Sequence, residues 1–274
     1  MTIKNLAIAA GGATAAVFLT IGLTSAAQAQ RGATPPRAPA PAVSSAYNGP
    51  RTPDRKPDLN GIWQVLGTAH WNLEAHSAME GVPAGLSVVE GGTIPYQPAA
   101  LARRNENFQN RLVADPLRKC YMPGVPRATY LPFPFEITQT PKHMLIAYEF
   151  AHATRTVFLD GTPHMDDLDF WMGDARGKWE GDTLVIDTTN FSPNTSFRGA
   201  STNLHLIEKF RRVSEDSLEY YVTIEDPTVW MKPWTLMVPL KKTGEEMFEY
   251  ACHEGNYGLP AILRGARAQE AAAR

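Results

Sequence analysis

The densest run of reactive side chains is Cys252-His253-Glu254-Gly255-Asn256-Tyr257, five hydrogen-bonding or nucleophilic groups in six positions. A histidine next to a carboxylate can exchange protons near neutral pH, so His253 with Glu254 offers an acid–base pair. A second pair, His164 with Asp160, falls in Leu159-Asp160-Gly161-Thr162-Pro163-His164, just ahead of Asp166, Asp167 and Asp169. Asp-Gly is also ordinary turn chemistry, and a polar strand end can simply cap neighbouring backbone. Upstream, Arg155 and Tyr148 are placed to hold a polar group of a substrate, and Trp171 and Tyr257 offer aromatic surface to a flat or amphipathic one. Cys120 and Cys252 are the two cysteines and leave two readings open. They form one disulfide, or Cys252 is a free thiol activated by His253.

Several signatures are missing. The sequence has no Gly-x-Ser-x-Gly elbow, Gly-rich phosphate loop, dinucleotide fingerprint or Cys-x-x-Cys-His haem motif. Its histidine spacings match neither His-x-x-x-His nor His-Glu-x-x-His. No cofactor and no metal is therefore expected, and any catalysis falls to side-chain acids and bases. The net charge of −2 conceals a gradient, because six Lys/Arg and one Asp precede residue 58. The acidic remainder repels phosphate backbones, so nucleic acid is not expected as a partner. A composition of 43% hydrophobic and 20% charged residues excludes a wholly disordered chain and a polytopic membrane protein.

The elements that must position these residues are mostly strands. Period-two alternation marks residues 61–65, 143–150, 154–159, 183–189, 204–213, 218–225, 234–240 and 247–252. Short polar turns between them make an antiparallel meander, and about eight strands close most economically into a barrel without free edges. Tyr148, Glu149, Arg155, Glu208, Arg211, Glu225 and Asp226 then sit on strands, as a solvated face, as cross-strand pairs or as pocket groups. Residues 67–97 form a long excursion, 98–111 a short helix opened by proline, and the proline-dense stretch 120–135 a loop or edge. The tail from Leu259 reads as helical.

The first thirty residues read as an address. Lys4, an apolar stretch from Leu6 to Leu23 and the small residues of Ser25-Ala26-Ala27-Gln28-Ala29 fit a signal peptide of residues 1–29. An uncleaved anchor is the other reading, since the stretch is just long enough to span. Residues 30–57, with seven prolines and five alanines, read as a disordered tether, leaving 58–274 as one domain. The mature protein is expected in the periplasm or outside the cell, without membrane contact once the signal is removed.

Several strings together resemble a large, mostly uncharacterised family of secreted bacterial β-rich proteins. They include Asp58-Leu59-Asn60-Gly61-Ile62-Trp63, Asp160-Gly161-Thr162-Pro163-His164, the run from Gly177 to Phe191, and Ala251-Cys252-His253-Glu254-Gly255-Asn256-Tyr257. The opening Gly-x-Trp strand resembles lipocalin and calycin barrels, in which the tryptophan plugs one end. The resemblance implies a secreted, β-rich single domain and no particular reaction. The expectation is a cofactor-independent lyase or isomerase acting on a small aromatic or amphipathic compound. The alternative is a non-catalytic barrel that holds a small hydrophobic ligand.

Overall fold

The structure is a computed structural model that describes residues 47–195, 197–252, 254, 255 and 257–273. The stretch expected to be a signal peptide, most of the expected tether, His253 and Asn256 lie outside them.

Nine strands form the body: β1 (Gly61–Val65), β2 (Phe135–Gln139), β3 (His143–Tyr148), β4 (Thr154–Phe158), β5 (Asp174–Glu180), β6 (Thr183–Thr189), β7 (His205–Arg212), β8 (Ser217–Glu225) and β9 (Trp234–Thr243). Each pairs with the next, and β9 returns to β1, so the sheet closes into a barrel of the expected lipocalin-like kind. All neighbours are antiparallel except β4 and β5, which run parallel through Val157↔Ala175 and Phe158↔Arg176. A parallel pair needs a crossover, here residues 159–173. Helices α1 (Pro98–Gln109), α2 (Arg111–Ala114), α3 (Arg127–Tyr130) and α4 (Gly258–Ala272) lie outside the sheet order.

The alternation read from sequence is the alternation of burial. Leu218, Tyr220, Val222 and Ile224 of β8 are each fully buried, and Leu236, Val238 and Leu240 of β9 face them from the same interior. Two strands escape a hydrophobicity reading. In β5 the inward residues are Ala175, Gly177 and the partly buried Trp179, and the first two are too small to register as an apolar face. β2 starts at Phe135, directly after the prolines that argued against a strand there. Conversely, residues 247–252 form no strand. The edge of β9 is already taken by β1, and this segment instead docks on the β3–β4 turn: Phe248 N–H donates to Glu149 Oε2 (2.8 Å) and the Tyr250 ring packs 4.5 Å from Phe150.

Trp63 of β1 is fully buried, its Nε1 donates to Leu59 O (2.9 Å), and the Arg212 guanidinium lies 5.6 Å from its ring. Residues 47–57, read from sequence as part of the tether, pack close by, with the same guanidinium 5.8 Å from the Tyr47 ring. Tyr47 is buried, its N–H donates to Asp182 Oδ2 (3.0 Å), and Arg51 pairs with Asp182 (2.7 Å). The excursion after β1 has a structural part too. Glu90 N–H donates to Thr235 O and Met237 N–H to Val88 O (2.9 Å each), so residues 88–90 continue along β9 where β1 leaves it. Cys120 and Cys252 are joined by a disulfide that closes a 132-residue separation. The chain-entropy account assigns such a loop about 4–5 kcal/mol.

Candidate functional site on the outer wall

The barrel interior is filled. Trp63, Phe135, Phe210 and Tyr220 are fully buried there together with aliphatic side chains. Arg155 does point inward, as its strand position allowed, but it is already engaged. Its guanidinium donates to Glu208 Oε1 (3.0 Å) and Oε2 (2.7 Å), and Glu208 also accepts from Thr188 Oγ1 and Tyr220 OH (2.8 Å each). Burial alone would lower the Arg155 pKa, yet the carboxylate beside it pushes the net shift upward. Burial, with Glu208 second, drives the Tyr220 hydroxyl well above its usual range. Tyr148, whose hydroxyl is likewise raised by burial, lies 3.1 Å from Thr129 Oγ1. This set satisfies itself within the core, with Arg155 Nε the one buried atom of it left unpartnered.

The polar constellation that meets open space is on the outside. The crossover 159–173 returns along the outer face of β5 and β6 and places His164 between two carboxylates, Nδ1 3.1 Å from Asp174 Oδ2 and Nε2 3.0 Å from Asp187 Oδ1. His205, on the outward side of β7, sets its Nε2 3.2 Å from both Asp187 oxygens, and its Nδ1 is 3.5 Å from Glu225 Oε2. Asp187 thus bridges two imidazoles. Burial would raise the Asp174 carboxyl, but bonds from the Met165 N–H, Arg176 and His164 outweigh it and hold the group below the ordinary carboxylate range. Arg176 is fixed in turn by Asp174 (2.9 Å), by Thr162 Oγ1 (2.7 Å) and by the Phe158 ring 4.4 Å away.

Beside this cluster lies a groove of about 480 Å³. Phe158, Val185 and Ile207 form its apolar floor, and Gly161 and Thr162 of the crossover form one edge. Asp187, Arg176, Lys178, Lys209 and Glu180 line it with charge. Among the described residues, no three His, Cys, Asp or Glu side chains are grouped to hold a metal ion.

The structure distributes the sequence-derived site residues widely. His164 reaches this cluster, but not with Asp160, which is exposed and accepts from the N–H (3.1 Å) and hydroxyl (2.7 Å) of Thr162 as the turn chemistry of Asp-Gly requires. Those bonds hold the Asp160 carboxyl below its ordinary range. Arg155 and Tyr148 belong to the core network. Trp171 staples a loop, its Nε1 donating to Met122 O (2.7 Å) and its ring stacking 5.4 Å from Tyr121. Tyr257 and Glu254 are exposed, and His253 lies outside the described residues. Cys252 is spent in the disulfide, which removes the free-thiol reading. Sequence reasoning missed His205, Asp187, Asp174 and Arg176 as site residues. Outward positions on adjacent strands, His205 on β7 and Asp187 on β6, are the signal that could have found them.

No family model matches the chain, and no curated protein matches it.

Proposed function

We propose that the protein acts by acid–base chemistry, as a lyase or isomerase, on a small amphipathic compound held in the outer-wall groove. The observation that carries this reading is Asp187, which lines the groove while two imidazoles share its carboxylate. A carboxylate has about four lone-pair sites, so the histidine bonds leave room for a substrate proton. In this account the apolar part of the substrate lies on Phe158, Val185 and Ile207. Asp187 takes a proton from the carbon beside a carbonyl, and Arg176 with the groove lysines supports the oxyanion that develops. The proton then returns to a neighbouring atom, or a leaving group departs with it. No cofactor enters the scheme. An extracytoplasmic location is supported by the Cys120–Cys252 disulfide together with the apolar N-terminal stretch and its small-residue ending.

One observation favours the non-catalytic alternative. Both ring nitrogens of His164 face carboxylates, and both contacts are hydrogen bonds only when the ring carries two protons. An imidazole so bracketed is a latch for the crossover rather than a free base, and the groove would then bind without turnover. Asp187→Asn separates the two readings in a turnover screen against small oxo- and hydroxy-acids. The enzyme reading expects activity to fall by about a hundredfold or more with the melting temperature nearly unchanged. Full activity in Asp187→Asn would sink it. Binding without turnover in the wild type would leave the alternative.

A further inference from the structure

Outside the barrel, two helical arms share one root. The first comprises α1 and α2 and returns to the body through Asp115–Cys120, and the second, α4, starts six residues after Cys252. The disulfide holds their roots together, with the two Cα atoms 6.0 Å apart. Of the first arm only Ala100 is buried, and no residue of α4 is. Both nevertheless carry apolar stripes. Leu101 and Phe108, seven apart, lie on one face of α1, with Leu112 following on α2, and Leu259, Ile262 and Leu263, spaced by three and one, lie on one face of α4. Phe108 is 45% exposed, Leu112 67% and Ile262 69%.

The charge on these arms is opposite to that of the body. Residues 98–119 and 258–274 hold eight basic and three acidic side chains, whereas the rest of 58–274 holds twelve basic and twenty-four acidic. The basic groups border the apolar stripe directly, since Arg111 lies 4.2 Å and Arg104 5.9 Å from the centre of the Phe108 ring. Apolar side chains flanked by guanidinium groups on an exposed helix match the interface of an anionic bilayer, where acyl chains and acidic headgroups meet. At 1.5 Å per residue α1 and α4 are about 18 and 22 Å long, too short for the ~30 Å hydrocarbon core. No described helix is long and apolar enough to cross a membrane. The arms would therefore lie on the surface. We propose that the two arms dock the protein onto an anionic membrane surface, keeping the acidic barrel on the water side. The sequence implies no membrane contact, since surface helices do not register as spanning segments.

Co-sedimentation of the full chain with vesicles tests this. Vesicles containing phosphatidylglycerol should pellet the protein at low salt, and vesicles of phosphatidylcholine alone should not. Arg104→Glu with Arg111→Glu should lower the bound fraction roughly tenfold or more, since each basic residue near such a surface contributes appreciably. Phe108→Ser with Leu112→Ser should do the same without changing charge, and about 0.5 M salt should release the protein. Equal pelleting by both vesicle types, or by neither, overturns the proposal. So does a dimer in light scattering that Phe108→Ser with Leu112→Ser converts to monomer, because the arms would then cover a second copy of the chain.

Discussion

Arg155 and Glu208 stand at the centre of the barrel with side-chain exposures of 1% and 0%. A buried pair of this kind costs much desolvation, so its net contribution is small while each half depends on the other. Glu208→Leu should therefore destabilise by about 3–5 kcal/mol in urea unfolding, since it strands the guanidinium and leaves Tyr220 and Thr188 without their acceptor. Arg155→Met combined with Glu208→Leu should recover most of that loss, and an additive double mutant would refute the coupling. Asp226 makes a different prediction. Burial raises its carboxyl, but bonds from the Thr228 hydroxyl, the Ser201 N–H and hydroxyl, and the Thr228 N–H more than compensate and hold it below the ordinary range. A depressed folded value means the stabilisation is complete above the unfolded value near pH 4 and vanishes as pH falls through the folded one. The melting temperatures of wild type and Asp226→Asn should thus differ at neutral pH and converge below about pH 4. A constant gap would rule out Asp226 titration as its source. Sequence displayed these residue types but not their pairings. His164 and Asp160 are four positions apart in the sequence, whereas the partners of His164 in the fold are ten and twenty-three positions away.

Elements were more legible than partners. Strict alternation in β8 and β9 comes from one face meeting the core, and it carries its own register. β5 carried a weaker signal, charged residues alternating with Ala175, Gly177 and Trp179, because neighbouring side chains fill the space that the two small residues leave. A Cβ placed on Gly177 would lie 2.5 Å from Leu159 Cδ2 and 2.8 Å from Val157 Cγ1. Val157 is β-branched and fully buried, so it has little freedom to yield. Gly177→Ala should cost about 1–3 kcal/mol by overpacking, read as a shift in the urea midpoint at unchanged m value. Gly244→Ala, where a Cβ meets nothing within 4 Å, is the control and should be close to neutral. Equal midpoints for the two variants would mean that β5 is not held tightly against β4 at their short parallel contact. That contact also explains why the crossover is not legible in the sequence. Nothing in Asp160-Gly161 distinguishes a hairpin from the start of a fifteen-residue return over the outer wall, and the groove exists only because of that return.

At the scale of the whole molecule, closure joins residues nearly two hundred positions apart, and it is shared between two segments. β1 covers Leu240–Thr243 of β9, and the excursion covers Thr235–Met237 through the Glu90 and Met237 N–H groups. In the sequence the excursion is only a long stretch between β1 and α1. Much of it completes the wall: Val89 and Ile94 are buried against the core, and Tyr96 meets Trp230 in a further bridge. An uncovered stretch of β9 would be an open edge with unpaired N–H and C=O groups, the usual starting point for strand-to-strand association. Glu90 isolates this effect, since its side chain is exposed and only its N–H, 2.9 Å from Thr235 O, takes part in closure. Glu90→Pro removes that donor and should cost about 1–2 kcal/mol, while Glu90→Ala keeps it and should stay within about 0.5 kcal/mol of wild type. The two variants should also diverge in concentrated solution, with the proline form associating on mild heating and the alanine form remaining monodisperse in light scattering. If both behave like wild type, β1 alone suffices to close the barrel, and residues 88–90 rest on β9 without sealing it.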